Sequence, residues 1–484
     1  MNNENADVVT KKAKRIHDEA PSDLFANFMK SGWAPSDLTG LAPLEVVTYA
    51  FSRRQVLSAN YKGIRLVLPA GGLKVRANDT DYNYRPHSAF VYYSGVEGAD
   101  STADAVLVLE PNGDSHLTYL YIHPRSTRDT DAFYRDAKYG ELWVGRRFTL
   151  DEAKQRYQID ARLLSDLPAF LADGKETLTL RGVDELIDKS VKEHAREEEF
   201  TTFVSEQRLC KDSYEINELQ KAVDASGLGF NDVIAAIPAA VATPRGERVL
   251  DAAFYGRARV LGNDLGYNTI VGAGSHACVL HWIRNDGDVK NGELVLVDAG
   301  VEVESFYTAD ITRTLPVNGK FSPAQRALYM LVYESQMAGF AAIKPGVLFS
   351  EINKACQAVL AKGLADMGVL TVSAEESLKP EIGLHRRWTL HGVSHHLGLD
   401  VHDCAQARKE NYLDAPLEEG MVLTVEPGLY IQPDDELFAP EYRGIGIRIE
   451  DDVVVTADGC RNLSEGIPRH PDEIEKWMKG ILGK

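Results

Sequence analysis

The sequence predicts an α+β protein with two domains, and three observations support that fold class. The chain has 484 residues, of which 44% are hydrophobic, and this is too long for one ordinary core. Short β-rich runs bounded by Gly, Pro, Asn and Asp appear from about residue 45 onward. A helix start with two matching capping residues near residue 212 then opens a second domain. We therefore expect an N-terminal arm over residues 1–44, a smaller α/β domain over 45–210 and an α+β domain over 211–484.

The first domain is predicted from β-rich runs that are followed by helical patterns. The runs are GIRLVLPAG, SAFVYYSG, DAVLVLEPNG and LTYLYIHP, and the helical patterns are DEAKQRYQ and VDELIDKSVKEHAREEEF. The arm before them contains one amphipathic patch, SDLFANFMKSGW. Strands followed by helices favour an α/β arrangement for this part of the chain.

The second domain begins with a helix whose N-terminus is well marked. Asp212 is an N-cap residue, and Glu215 three positions later completes a capping box. Further helices are expected near 246–261, 323–343 and 351–367. The strands between them are YNTIVGAG, ELVLVDAG, GMVLTVEPGLYI and IGIRIEDDVVV, and ADG after the last is a hairpin-like turn. This order predicts largely antiparallel strands.

Composition excludes several classes of function. The net charge is −19, and such a surface repels phosphate backbones, so nucleic acid is not an expected partner. No apolar run was expected to reach the ~20 residues of a membrane span. The N-terminus lacks the apolar segment of a secretory signal, so we expect a cytoplasmic protein. The five cysteines form no CxxC pair, which argues against a disulfide framework and a thiolate zinc site.

Acidic residues recur at the ends of the apolar strands of the second domain. They are Asp298, Asp310, Glu426 and Glu450. Buried charges of this kind are normally paired or bind metal. Four carboxylates with one histidine from HGVSHHLGLDVHD would balance two divalent cations. Oxygen-rich ligands favour Mn²⁺ or Co²⁺ over Zn²⁺, and two such ions indicate metal-assisted hydrolysis.

Five ordered motifs carry a family resemblance. LVLVDAG, ADITRT, HGVSHHLGLDVHD, VLTVEPGLY and YRGIGIRIEDD together resemble the pita-bread-fold metallopeptidases, and among them the Xaa-Pro aminopeptidases, or aminopeptidase P. The resemblance spans residues 212–475, with weaker similarity in the first domain. It implies a pita-bread catalytic domain that releases the residue before proline from proline-containing peptides. It also implies a homo-oligomer, either a dimer or a tetramer.

The resemblance assigns a role to nine residues. The implied metal ligands are Asp298, Asp310, His395, Glu426 and Glu450, with Asp310 and Glu450 bridging the two ions. His391 would contact the scissile carbonyl region, and His402 and His281 would bind substrate or move protons. Glu426 could also accept the proton of the attacking water. Arg448 lies two residues before Glu450, so both point to one face of a strand, whereas Ile445, Ile447 and Ile449 are expected to point into the core.

The remaining polar residues of the motifs have other interpretations. His396 is expected to be neutral or partly exposed, and His276 and His385 are expected to be structural. Asp400 and Asp403 either fix imidazole tautomers or have solvated or capping roles.

Two departures from the family's pattern stand out. The spacing between Asp298 and Asp310 is one residue longer than is usual in the family. The extra residue must lie in the turn or in a β-bulge, because a slip within the strand would reverse the face of Asp310, and the intact ADITRT context favours the turn. The basic pair Arg386 and Arg387 stands where relatives often carry apolar residues and could reshape the cleft.

Two alternatives stay open. Prolidase, which cleaves only Xaa-Pro dipeptides, shares the fold and the ligands. A catalytically inactive pita-bread module that binds protein partners is disfavoured by the intact ligand set.

Overall fold

The computed structural model describes residues 21–483, and the chain divides into two compact units. Within the described residues, the first unit comprises those up to Val96 together with Asp100–His194, and the second comprises Glu97–Ala99 and those from Ala195 onward. Residues 1–20 of the expected arm lie outside the described residues. The boundaries at residues 44 and 210 stay predictions.

The first unit is built on a five-stranded mixed sheet. The described strands of the whole unit are β1 (Arg65–Pro69), β2 (Val75–Ala77), β3 (Thr80–Asp81), β4 (Val106–Asn112), β5 (Ser115–Ile122), β6 (Asp160–Leu163) and β7 (Thr177–Thr179). The sheet has the order β6–β5–β4–β1–β7, with parallel pairs at both edges and antiparallel pairs within. Strands β2 and β3 form a separate hairpin. The runs expected at β1, β4 and β5 are confirmed as strands.

Eight helices accompany this sheet within the described residues. They are α1 (Asp23–Met29), α2 (Val47–Asn60), α3 (Ser88–Ser94), α4 (Ala132–Arg135), α5 (Glu141–Val144), α6 (Leu150–Tyr157), α7 (Leu167–Leu171) and α8 (Glu185–Ser190). The run VDELIDKSVKEHAREEEF is not one helix, because the chain leaves the helical conformation between α8 and the next helix.

The expectation of a strand at SAFVYYSG is wrong, because these residues form α3. All seven residues of this helix are buried. His87 caps its N-terminus through a bond from the Ala89 N–H, and Gly95 ends it in the left-handed region at φ 69°. Aromatic and β-branched residues favour strands only weakly, so burial on every side overrides that preference here.

The second unit contains eight helices in the described part of the chain. They are α9 (Glu197–Glu206), α10 (Ser213–Ala242), α11 (Gly246–Leu261), α12 (Pro323–Ala342), α13 (Ser350–Asp366), α14 (Ala374–Ser377), α15 (Lys409–Tyr412) and α16 (Pro471–Leu482). The capping boxes of Asp212 with Glu215 and of Ser322 with Gln325 are both formed. The helices expected in this region are therefore confirmed.

Helix α10 contradicts one expectation from the sequence. It is long and apolar enough to cross a membrane by length and composition, contrary to the expectation that no run would be. It packs against α11 and α16 and buries Glu215 and Glu218 on its first turns.

The strands of the second unit pair only in antiparallel fashion among the described residues. They are β8 (Asp264–Leu265), β9 (Ile270–Ala273), β10 (Leu294–Ala299), β11 (Val301–Glu302), β12 (Ile311–Pro316), β13 (Val422–Val425), β14 (Gly428–Tyr430), β15 (Gly446–Arg448), β16 (Asp451–Val455) and β17 (Cys460–Asn462). The sheets are β12–β10–β9, β13–β16–β17, β14–β15 and β11–β8. A bridge between Thr312 and Glu450 connects β12 with the segment between β15 and β16.

The connection between β10 and β12 is irregular only in its turn. The two strands pair without a bulge, with Asp298 opposite Thr312 and Ala299 opposite Ile311. The turn beyond them includes Phe306, a buried residue at φ 68°. A regular register keeps Asp298 on the face that the alternation of the strand predicts.

Candidate metal centre

All nine predicted site residues line one cavity of about 580 Å³ in the second unit. The four acids enter it from the ends of strands. Asp298 lies in β10, Asp310 directly precedes β12, Glu426 directly follows β13 and Glu450 lies between β15 and β16. The histidines His391, His395 and His402 come from the irregular segment before β13, and His281 comes from the segment after β9. The structure thus brings the predicted residues together from six separate parts of the chain.

The two aspartates face each other across a tyrosine hydroxyl. The Tyr267 hydroxyl lies 2.6 Å from Asp298 Oδ1 and 2.6 Å from Asp310 Oδ1. The other oxygen of Asp298 accepts a bond of 2.5 Å from Arg448 Nη2. The hydroxyl has one proton to donate, so it cannot hydrogen-bond fully to both carboxylates, and the two aspartates keep excess negative charge.

Three of the predicted ligands form the most compact group. Ligand atoms of Asp310, His395 and Glu450 all lie within 4.8 Å of one another. Glu450 Oε2 also accepts a bond of 2.6 Å from the Thr312 hydroxyl, which orients it. Carboxylate oxygens and an imidazole nitrogen at this spacing can coordinate the same cation.

His395 has the tautomer that a metal ligand needs. Its Nδ1 lies 3.1 Å from the carbonyl oxygen of His396, so Nδ1 carries the proton. Its Nε2 faces Asp310 Oδ2 at 3.3 Å and Glu426 Oε1 at 3.6 Å. Burial opposes charge on this ring, but the two acids outweigh burial and raise its pKa to about 9.

The electrostatics of the cavity fit divalent cations. Burial, and after it repulsion from Asp310, raises the pKa of Glu426 to about 8 and the pKa values of Asp298 and Glu450 as well. Four carboxylates share the cavity with one guanidinium, that of Arg448. Carboxylates packed this closely repel one another, and bound divalent cations would remove that repulsion.

His391 is engaged at both ring nitrogens. Its Nδ1 lies 2.7 Å from the carbonyl oxygen of Gly392, and its Nε2 lies 2.8 Å from the Tyr430 hydroxyl, which also accepts a bond from Arg448. Burial, and after it the charge of Arg448, lowers the pKa of His391 to about 4, so the ring is neutral. A contact between His391 and a scissile carbonyl therefore requires exchange of one of these bonds.

The other two lining histidines have unengaged rings. Neither His281 nor His402 has a side-chain hydrogen bond within the described residues, although His402 contacts the His395 ring edge-on at 4.5 Å between centroids. Burial lowers the pKa of His402. Both rings are able to meet a ligand in the cavity.

Several expectations for the polar neighbours are corrected. His396 is buried between Phe349 and Tyr412, so it is not partly exposed, but burial lowers its pKa well below the usual range and the expectation of a neutral ring is confirmed. Asp403 pairs with Arg208 and Lys211 rather than with an imidazole, and Asp400 contacts the same arginine.

Three other expectations were tested by contacts. His276 bonds to Glu247 and His385 bonds to Ser377, so the structural interpretation of both is confirmed. Arg387 pairs with Asp435 instead of facing the cavity.

Sequence reasoning missed Tyr267, Tyr430 and Thr312. Thr312 carried a usable signal, because it lies two residues after Asp310 on the same face of a strand. Tyr430 lies two residues into β14 and Tyr267 precedes β9, and nothing in their sequence context distinguishes them from core tyrosines.

Comparison with known proteins adds the family. A sequence profile described as metallopeptidase family M24 matches residues 217–457, and one described as the N-terminal domain of aminopeptidase P matches residues 49–179. The chain is 49% identical to Xaa-Pro aminopeptidase 1 of Streptomyces coelicolor, over 96% of this chain and 93% of that protein. It is 34% identical to the Xaa-Pro aminopeptidase of Escherichia coli, over 88% of this chain and 96% of that one.

A solved structure agrees with these sequence matches. Aminopeptidase P from Escherichia coli with the inhibitor Pro-Leu superposes with a TM-score of 0.78 at 31% identity, over 93% of this chain and 100% of that one.

Proposed function

From the premise that this chain belongs to metallopeptidase family M24, we propose that it is an Xaa-Pro aminopeptidase, which hydrolyses the bond between an N-terminal residue and a following proline. The expected fold class, a pita-bread catalytic domain after a smaller α/β domain, is confirmed by the same matches. The observation that carries the proposal is the single cavity in which four strand-end acids and His395 meet, lined by His281, His391 and His402.

The chain binds divalent metal as a member of this family, and we propose two Mn²⁺ ions held by Asp298, Asp310, His395, Glu426 and Glu450. The donor set supports this choice, because four carboxylates and one imidazole suit Mn²⁺, with Co²⁺ and Zn²⁺ as the other options. When bound, such ions activate a water molecule and polarise the scissile carbonyl.

The protein's own residues supply orientation and proton transfer. Arg448 holds Asp298 and the Tyr430 hydroxyl, and Tyr430 in turn holds His391. Glu426 lines the cavity, with Oε2 3.5 Å from His391 Nδ1 and Oε1 3.6 Å from His395 Nε2, and a carboxylate placed there can accept a proton. The unengaged rings of His281 and His402 would bind the substrate around proline and help the amine to leave.

The charges around the cavity favour longer peptides over dipeptides. A dipeptidase needs a cation for the carboxylate next to the proline ring, and Arg386 or Arg387 could supply it if either faced the cavity. Arg387 is paired with Asp435, and neither arginine is among the described residues that line the cavity. Arg448, which does line it, is already bonded to Asp298.

Substrate length provides the decisive test. Protein loaded with Mn²⁺ is assayed for kcat/KM on Ala-Pro, Ala-Pro-Ala and a longer peptide with proline second, and on Ala-Ala-Ala as the matched control without proline. We expect cleavage of the tripeptide and the longer peptide, weaker action on the dipeptide and none on the control. A strong preference for Ala-Pro would make the protein a prolidase and contradict the proposal.

Metal analysis tests the alternative of a catalytically inactive module. Two Mn²⁺ per chain with turnover supports the enzyme, whereas a chain that binds no metal and cleaves no peptide supports the module. We further propose a cytoplasmic homo-oligomer, either a dimer or a tetramer, and light scattering of the purified protein measures its size.

A further inference from the structure

Glu247 carries a fully satisfied carboxylate outside the metal centre. It lies on α11, is fully buried, and accepts four N–H bonds. Oε1 accepts from the Ala273 backbone at 2.8 Å and from His276 Nδ1 at 2.8 Å. Oε2 accepts from Trp282 Nε1 at 2.8 Å and from the Gly287 backbone at 2.6 Å.

All four donors come from the segment 273–287, and this segment carries His281. The ring of His281 has no hydrogen-bond partner among the described residues, so its position depends on its backbone. The next residue, Trp282, is fixed twice, because its indole bonds to Glu247 and stacks on His276 at 4.0 Å between ring centroids. Glu247 is therefore the common attachment point of the chain on both sides of His281.

We propose that Glu247 is a positioning residue that holds His281 at the edge of the cavity in the geometry that substrate binding needs. This inference rests on the proposed function, because His281 matters only if the cavity binds peptides. Glu247 itself touches no substrate and acts only through the segment that it anchors.

The contacts explain why a carboxylate is required. Each oxygen of Glu247 accepts two donors, so the side chain must be an acceptor at all four positions. A glutamine has one acceptor oxygen and one NH₂ group, and in either orientation its NH₂ would face two N–H donors. Glu247→Gln thus keeps the volume of the side chain while it breaks two of the four bonds.

The test is a double-mutant cycle on the Mn²⁺-loaded, full-length protein. The variants are Glu247→Gln, His281→Ala and the two together, assayed with Ala-Pro-Ala for kcat and KM separately and for metal content. Trp282→Phe is the milder matched variant, since it removes only one donor. Misplaced binding groups of this kind cost on the order of 10–100-fold.

We expect Glu247→Gln to lower kcat/KM by about that factor, with full metal content, and Trp282→Phe to lower it less. The double variant should be no worse than His281→Ala alone, because a misplaced ring and an absent ring have the same consequence. A purely structural role would instead give losses that multiply.

The inference is overturned if Glu247→Gln has normal kinetics, loses metal, or multiplies the loss of His281→Ala. If Glu247→Gln does not fold, the same cycle with Trp282→Phe decides. Failure of the proposed function gives a different result, because the unaltered protein would then cleave none of the peptides with proline second.

Discussion

Replacing Asp403 by alanine should strongly destabilise the second unit. Asp403 is buried between two cations: its Oδ1 lies 2.9 Å from Arg208 Nη2, and its Oδ2 lies 3.0 Å from Lys211 Nζ. Arg208 also contacts Asp400 at 2.9 Å. Lys211 Nζ has no other hydrogen-bonding or ion-pair partner among the described residues, and its side chain is 0% exposed. Asp403→Ala therefore leaves a buried ammonium group without an anion.

The structure sets the size of this effect. Removing one partner of a buried ion pair costs about 3–5 kcal/mol, because the remaining charge stays desolvated. Asp400 is the matched control, since it contacts the same arginine but is 40% exposed, and surface pairs contribute about 0–1 kcal/mol. The free energy of unfolding falls by about 3 kcal/mol for each molar of urea, so Asp403→Ala should lower the urea concentration at the unfolding midpoint by about 1–1.7 M. Asp400→Ala should lower it by at most about 0.3 M.

The assay is urea unfolding of the metal-loaded protein, followed by near-UV circular dichroism and by residual activity. Lys211→Met combined with Asp403→Leu should recover part of the loss, because the double variant leaves no unpaired cation at position 211. If the midpoints of Asp403→Ala and Asp400→Ala coincided, the ion pair would contribute no more than a surface contact and the reasoning would be refuted.

Three further predictions concern the metal, the lining residues and pH. Asp310→Ala should lose metal and activity, whereas chelated wild type should recover with Mn²⁺; elemental analysis that finds full metal in the variant would contradict the ligand assignment. His391→Ala should keep its metal and lose about 10²–10⁴-fold in kcat, and metal loss would mean that its role is exchanged with that of His395. Burial opposes ionisation of Glu152, but its bonds from Arg146 and from backbone N–H groups lower its pKa to about 2 from 4.5. The ionised Glu152 carboxylate therefore stabilises the folded state fully above about pH 4.5, and this stabilisation is lost as the pH falls through about 2. The urea midpoints of Glu152→Gln and wild type should converge as the pH is lowered from about 4.5 to about 2.

The strand-end acids could be predicted because two independent regularities coincide there. A β-strand alternates faces, so Arg448 and Glu450 share one side while Ile447 and Ile449 are fully buried on the other. An acid that ends an apolar strand also carries a desolvation cost that only a partner removes. The strand position of each acid and the desolvation cost of burying it together indicate a shared site. Both can be read from the sequence without the tertiary structure.

Other features depend on contacts between distant parts of the chain. The aromatic composition of α3 favours a strand, and only burial of every residue decides for a helix. Asp403 could not be assigned a partner, because Lys211 is far away in sequence and carries no local sign of being buried. Tyr267 joins two aspartates from different strands, and a single tyrosine before β9 gives no indication of that.

The histidine-rich segment HGVSHHLGLDVHD shows how one sequence pattern divides into several functions. His395 donates its Nδ1 proton to a backbone carbonyl and presents Nε2 to the acids, while the adjacent His396 turns away and packs between two aromatic rings. Burial and the charge of Arg448 keep His391 neutral while Gly392 and Tyr430 engage its two ring nitrogens, whereas His402 keeps an unengaged ring beside His395. Since all four have the same intrinsic chemistry, the direction of each ring and the partner of each nitrogen decide the role. The ion pair of Asp403 follows at the end of this segment, so the contact that stabilises the buried end of the loop is adjacent to the residue that would meet the substrate.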